Sequence, residues 1–141
     1  MIIEQISVFI ENKSGRLDEV MAILGDNNIN VSALSIADTT DYGIVRMIVS
    51  EPSEAIRLLK EQAFSVRITP VICCKTPNKP GGLKKMLGYL SADGISIEYM
   101  YAFSVGEDAC IILKTEDCEA TIASLETHQM ELVSANKIYQ I

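Results

Sequence analysis

The sequence has few of the features on which catalysis usually depends. It contains one histidine, His128, and it has no Ser-His-Asp set, no pair of catalytic carboxylates, no G-x-x-x-x-G-K loop and no zinc-ligand spacing. His128 has no evident acidic or nucleophilic partner in the sequence, so we expect it on the surface of a helix. These patterns predict that the chain is not an enzyme and imply no cofactor or metal.

Long apolar runs are also missing. None approaches the roughly 20 residues that a membrane-spanning helix needs, and the N-terminus lacks a basic region followed by an apolar core. We therefore expect a cytoplasmic protein with no membrane partner.

Basic residues are in the minority. There are 12 Lys and Arg against 19 Asp and Glu, and both halves share the imbalance, with 6 against 10 in residues 1–70 and 6 against 9 in residues 71–141. An acidic chain repels the phosphate backbone, so the charge argues against a nucleic-acid partner.

Cysteine is confined to the second half, at Cys73, Cys74, Cys110 and Cys118, and no two of these form a C-x-x-C pair. A disulfide framework would be expected in both halves, so we expect reduced thiols. Cys73 and Cys74 would point to opposite faces of a strand, which disfavours a thiolate cluster for a metal. Small core residues or surface thiols fit better.

The sequence does contain an internal repeat. Asn12-Lys13-Ser14-Gly15-Arg16-Leu17 returns, 66 residues later, as Asn78-Lys79-Pro80-Gly81-Gly82-Leu83. Each copy follows an alternating apolar run and precedes a segment with helical periodicity. The repeat predicts two domains, residues 1–70 and 71–141, each of which would be marginally stable alone.

The first copy reads as strand, helix, strand, strand, helix, strand. We predict strands at Ile2–Ile10, Ile29–Ala37, Ile44–Val49 and Ser65–Thr69, with a bulge near Ser32-Ala33 and a turn at residues 38–43. The first helix has Ser14 as its N-cap. The predicted buried faces of the two helices are Leu17, Val20, Met21 and Leu24, and Ala55, Ile56, Leu59 and Ala63.

The second copy repeats this order. We predict strands at Val71–Thr76, Ile95–Val105, Ala109–Thr115 and Leu132–Tyr139, and helix faces formed by Leu83, Met86, Leu87 and Leu90, and by Ile122 and Leu125. Two tandem βαββαβ units of class α+β are ferredoxin-like, with antiparallel sheets, helices on one face and the second strand at an edge.

Aromatic residues alternate along one strand of the second copy. Tyr99, Tyr101 and Phe103 stand where the first copy has small residues, Ala33, Ser35 and Ala37. Faces that interdigitate and a wall for a ligand side chain are both compatible with this contrast.

Each glycine turn predicts a small anion site. The first backbone N–H groups of a helix have no partner within the helix, and they suit a carboxylate at its positive end. Asn12 or Asn78 could offer a carbonyl oxygen to an ammonium group. Alternatively, each Asn caps its turn and each Gly only supplies a special backbone angle.

The two turns differ in charge. The second turn has three lysines close to it, Lys79, Lys84 and Lys85. In the first turn, the positions equivalent to Lys84 and Lys85 are the acidic residues Asp18 and Glu19. Cations near a helix N-terminus oppose the dipole, so we favour the second turn if only one binds a carboxylate. A solvated surface is the alternative explanation.

These features resemble a tandem ACT domain protein, of the stand-alone amino-acid-binding regulatory kind. The family's first turn reads Asp/Asn-x-Pro-Gly-x-Leu; Asn78 to Leu83 match throughout, and the first copy departs only at Ser14. Asn28-Ile29-Asn30-Val31 and Gly94-Ile95-Ser96-Ile97 resemble the family's second-strand beginning. The resemblance covers essentially the whole chain and leaves no space for a catalytic domain.

The resemblance implies an allosteric sensor. Family members pair side by side through the second strand and bind amino acids at the seam, which implies a free amino acid ligand, a homodimer and a regulated protein partner. The implied ligand-binding positions are Asn12, Lys13, Ser14, Gly15, Arg16, Leu17, Ile29, Asn30, Val31, Asn78, Lys79, Pro80, Gly81, Gly82, Leu83, Ile95, Ser96 and Ile97.

Two other functions stay open. The same sheet edges could serve a purely structural oligomerisation module that binds no ligand. A small acylphosphatase-like hydrolase would employ Arg16 and an Asn of the turn, but Gly82 stands at the position of Arg16 in the second copy, which disfavours it.

Overall fold

The computed structural model describes residues 1–38 and 41–141, except for the side chain of Asp38. Thr39 and Thr40, within the predicted turn at residues 38–43, lie outside the described residues. Contacts divide the chain into a first unit, Glu4–Thr69 with Asn136–Ile141, and a second unit, Met1–Ile3 with Pro70–Ala135. These units differ from residues 1–70 and 71–141 by an exchange of short terminal segments, and the predicted domain boundaries stay a prediction.

The first unit is built from β1 (Ile3–Glu11), α1 (Arg16–Asp26), β2 (Val31–Asp38), β3 (Tyr42–Val49), α2 (Pro52–Glu61) and the first part of β4 (Ser65–Pro77). Its strands lie in the order β2-β3-β1-β4. β3 is antiparallel to both neighbours, as in the pairs Val8↔Val45 and Ile36↔Val45. The ferredoxin-like α+β fold, with the second strand at the edge, is therefore confirmed.

Hydrophobic spacing explains how α1 packs. Leu17, Val20, Met21 and Leu24 recur at i, i+3, i+4 and i+7, and a helix places such positions on one face. Val20 and Leu24 are buried in the core of this unit, and Leu17 and Met21 pack against it. The predicted helix face is confirmed.

The beginning of β2 contains the predicted bulge. The register between β2 and β3 shifts between Val31 and Ala33. One extra residue in the strand reverses the faces of the side chains that follow, which is why the apolar alternation changes phase there.

Two details of the first unit were predicted wrongly. Ser14 is not the N-cap of α1; Gly15 takes that position with φ +88° and makes no side-chain cap. Ala63 does not extend the buried face of α2, because the helix ends at Glu61 and Ala63 adopts φ +66°. The chain reversal there places Phe64 in the core instead.

The second unit is built from the later part of β4, α3 (Gly82–Ala92), β5 (Ile97–Val105), β6 (Asp108–Thr115), α4 (Cys118–Thr127) and β7 (Glu131–Leu132); α5 (Ala135–Ile138) follows. β6 lies between β4 and β5, and β7 pairs with β4. The core contains Ile72, Cys74, Met86, Leu90, Ile111, Leu113 and Leu125. Within the two described ranges, no helix has both the length and the apolar composition needed to cross a membrane.

Three predictions for the later part of the chain were wrong. Ser65–Thr69 and Val71–Thr76 are not separate strands, because the ring of Pro70 fits an extended backbone and only removes a donor. The last strand has two residues rather than Leu132–Tyr139, and residues 134–137, Ser-Ala-Asn-Lys, have low strand propensity. Leu83 lies in the first turn of α3 and is 39% exposed.

The buried position Met86 and the exposed position Leu83 test this packing on one helix. Met86→Ala should lower the free energy of unfolding by roughly 2–5 kcal/mol, because it leaves a cavity in the core. Leu83→Ala should change it by roughly 0.5 kcal/mol or less, as expected of a surface position. Urea unfolding measures both, and equal losses would contradict the described orientation of α3.

Candidate ligand-binding site

The two glycine turns share one backbone geometry. Gly15 and Gly81 are the N-cap residues of α1 and α3, with φ +88° and +86°. A Cβ built on either would meet nothing within 4 Å, so the backbone angle rather than lack of space favours glycine there.

Both turns leave helix amides without a hydrogen-bond partner among the described residues. In the second, Gly82 N–H donates to the Lys79 carbonyl at 3.1 Å and Lys85 N–H to the Gly81 carbonyl at 3.1 Å, and the first turn has the equivalent bonds. Neither helix has a side-chain cap. The amides of Leu83 and Lys84, between the bonded ones, have no partner among the residues that the structure describes.

At the first turn, the positive end of the α1 dipole is balanced by side chains of α1 itself. Asp18 and Glu19 lie in the first turn of α1, where carboxylates interact favourably with the helix dipole. The guanidinium of Arg16 donates to Glu19 Oε2 at 2.7 Å and stands 4.6 Å from the ring centroid of Phe64. Arg16 is therefore held by its own unit.

The second turn opens into a cavity of about 300 Å³. It is lined by Thr76, Pro77, Lys79, Pro80, Gly81, Gly82, Lys85 and Met130. The first turn of α3 contains no acidic residue. The α3 N-terminus, two lysines and short apolar side chains thus surround one small space.

Gly82 determines how closely the loop returns to β4. A Cβ at this position would lie 2.5 Å from the carbonyl oxygen of Pro77, closer than real contacts allow. Gly82 thus lets the start of α3 lie against the end of β4. The first copy has Arg16 at the equivalent position, so this close approach belongs to the second turn.

Thr76 is a cavity residue that sequence reasoning missed. It is 2% exposed, and its hydroxyl makes no hydrogen bond to any residue within 1–38 and 41–141. Its Oγ1 lies 3.9 Å from the Cβ position of Gly82. Its place at the end of the strand before the turn could have indicated it, whereas Met130 is too distant in sequence to have been found.

The predicted asparagines have other contacts as well. Asn78 donates through Nδ2 to Ser104 Oγ at 3.3 Å, and its N–H donates to the Glu107 carbonyl. Asn12 N–H donates to the Asp41 carbonyl at 3.0 Å. The two N–H bonds tie each turn to the loop before the third strand of its unit, and the Nδ2 bond ties Asn78 to β5. The side-chain oxygen of Asn78 stays unused among the described contacts.

In the first unit, the predicted second-strand positions are engaged by the chain itself. Asn30 Nδ2 and Ser32 Oγ both donate to the main-chain oxygen of Ile141, at 3.2 and 3.1 Å. Ile29 is buried in the core, and Val31 packs against it.

In the second unit, the two predicted segments line different cavities. Ile95 and Ser96 line a larger cavity of about 720 Å³, together with residues 114–120, and not the space at the glycine turn. None of the residues Ile95–Ile97 lines the cavity at the second glycine turn.

His128 was wrongly predicted to lack an acidic partner. It is the C-cap of α4, stacks on Tyr89 with centroids 4.1 Å apart, and places Nε2 3.3 Å from Asp93 Oδ2. Ser124 donates to the same Asp93 oxygen at 2.5 Å, and this bond is the main cause that lowers the pKa of Asp93. Since Ser124 bonds to Asp93 rather than to His128, the group is not a nucleophile–base pair.

The four cysteines are free thiols. Burial raises the pKa of Cys74 to about 12 and raises that of Cys73 further, so both are protonated at neutral pH. Cys110 is also buried, and Cys118 is partly exposed beside the larger cavity. Burial raises the pKa of both of these thiols as well.

Comparison with known proteins decides the family. The family model described as an ACT domain pair matches residues 1–141. The chain belongs to the ACT domain family. No curated protein sequence matches this ACT domain pair.

Solved structures agree with this assignment. The ACT domain pair is 44% identical to protein BT0572 from Bacteroides thetaiotaomicron, covering 100% of this chain and 98% of that one, with a TM-score of 0.97. The regulatory subunit of aspartate kinase from Thermus thermophilus, in a ligand-free form, is 18% identical with a TM-score of 0.66, covering 89% of this chain and 93% of that one. The corresponding subunit from Thermus flavus is 17% identical with a TM-score of 0.62, covering 88% and 90%.

Two glycines of α3 test the close approach at the turn. Gly82→Ala should destabilise the protein by roughly 1–3 kcal/mol, because its methyl group collides with a backbone oxygen. Gly88→Ala, whose Cβ would meet only the flexible end of Lys84 at 3.5 Å, should stabilise by about 0.5–1 kcal/mol. Thermal unfolding of both variants should show shifts of opposite sign; a neutral Gly82→Ala would contradict the described loop.

Thiol labelling tests the burial of the cysteines. At pH 8 a disulfide reagent should modify Cys118 first, and the other three thiols should react only as the protein unfolds, because burial and protonation both suppress the thiolate. Cys118→Ser should remove the fast phase. Rapid modification of two or more thiols in the native protein would be inconsistent with the core described here.

Proposed function

We propose that this ACT domain pair is a regulatory sensor that binds a free amino acid at the second glycine turn. The observation that supports this most directly is the uncapped N-terminus of α3, which opens into a cavity lined by Thr76, a residue that is 2% exposed. The amides of Leu83 and Lys84 would receive the ligand's α-carboxylate. Its ammonium group would donate to Thr76 Oγ1 or to the side-chain oxygen of Asn78.

The first turn is the weaker candidate. Its helix dipole already has Asp18 and Glu19 nearby, and these would repel a carboxylate. Asn30, the implied partner from the second strand, is already bonded to Ile141. One ligand per chain, in the second unit, is therefore the stoichiometry that we propose.

If two copies of the chain pair through edge strands, binding of the amino acid could change how the two copies pack. β2 is an edge strand of the first unit, and Leu34 and Ile36 on it are 42% and 45% exposed. In a cytoplasmic homodimer joined there, a ligand that favours one packing would shift the population, which a regulated protein partner could sense. The resemblance to ACT proteins that pair side by side supports this arrangement.

The exposed apolar side chains on β2 also support one alternative function, a structural oligomerisation module that binds no small molecule. Leu34 and Ile36 would have the same role in that case. The acylphosphatase-like alternative has less support, because Arg16 is engaged by Glu19 and Phe64.

A thermal-shift panel of the common amino acids separates sensor from scaffold. At 100 times its dissociation constant a ligand should stabilise the protein by about 2.7 kcal/mol, whereas a scaffold would show no selective shift. Thr76→Val, which keeps the shape and removes the hydroxyl, should weaken the response. Thr127→Val, at an exposed position of α4 outside the cavity, is the control. If no amino acid shifts the transition, the sensor proposal is wrong.

A further inference from the structure

We infer that the cavity at the start of α3 selects an amino acid with a carboxylate side chain, such as aspartate or glutamate. This inference rests on the proposed function and specifies the chemical class of its ligand. It is supported by the charges around the cavity, by the hydroxyl of Thr76 in its wall and by its size.

The cavity is positive within an acidic chain. Lys79 and Lys85 line it, and no Asp or Glu does. Neither ammonium group forms an ion pair with a described residue. Three lysines elsewhere do find carboxylates, since Lys13 lies 2.8 Å from Glu11, Lys75 lies 3.2 Å from Asp108 and Lys114 lies 3.2 Å from Glu98.

The two lysines without an ion-pair partner indicate the charge of the ligand. An amino acid with a neutral side chain brings one carboxylate, which the N-terminus of α3 would receive, and one ammonium group, so neither lysine would gain an anionic partner. A second carboxylate gives the ligand a net negative charge and can form charge-assisted hydrogen bonds with an ammonium group. A basic side chain would instead place another cation beside Lys79 and Lys85.

The wall of the cavity is consistent with a short polar ligand. The hydroxyl of Thr76, on a residue that is 2% exposed, is an unpartnered hydrogen-bonding group at the cavity. Pro77, Pro80 and Met130 offer apolar surface suited to one or two methylene groups. At about 300 Å³, the volume is at the lower limit for small-molecule sites.

Isothermal titration of the full chain with two acid–amide pairs tests the inference. Aspartate against asparagine and glutamate against glutamine differ in charge but hardly in size, and lysine supplies the opposite charge. At least one acid should bind about tenfold more tightly than its amide, and added salt should reduce this preference.

Three single variants locate the source of the preference. Lys79→Gln and Lys85→Gln should each reduce the acid-to-amide ratio while the amide still binds. Lys60→Gln is the control, since Lys60 is an exposed lysine of α2 in the first unit and does not line the cavity. Unchanged thermal unfolding without ligand would show that the variants fold.

The outcomes separate this inference from the function on which it rests. An amide that binds as tightly as its acid, lysine as the best ligand, or an equal effect of Lys60→Gln would overturn the charge selection and leave amino-acid sensing in place. If no amino acid binds at all, the sensor proposal fails together with it.

Discussion

The left-handed glycine before each first helix is the constraint on which the site depends. Gly15 at φ +88° and Gly81 at φ +86° turn the chain from strand to helix without placing a side chain near the first amides. An Asp, Ser or Thr cap would have satisfied those amides internally. Because glycine cannot do so, donors that most helices use for stability stay available to a ligand.

The two copies of the glycine turn have the same backbone conformation but differ in the charges beside it. Equivalent hydrogen bonds hold both turns, yet α1 begins with Asp18 and Glu19, and α3 with Lys84 and Lys85. Backbone geometry is maintained by two glycines, whereas charge can change at any exposed position at little cost to the fold. The repeat therefore retains the shape of the turn while the charges beside its two copies diverge.

Sequence patterns predicted the fold well, because strand alternation and helix spacing are local consequences of burial. The bulge between Val31 and Ala33 was visible for the same reason. Sequence patterns failed at Leu132–Tyr139, because residues 134–137 have low strand propensity and the strand ends at Leu132. They predicted the glycine turns but missed Thr76 and Met130, because a cavity wall is assembled from segments that only the folded chain brings together.

The exchange of terminal segments has a consequence for any attempt to dissect the molecule. Met1–Ile3 belongs to the second unit, and Asn136–Ile141 belongs to the first, where Ile141 is held by Asn30 and Ser32. A single cut near residue 70 would therefore yield two fragments, each missing a piece that the other carries. Although the gene reads as a simple duplication, its product cannot be halved into two intact copies.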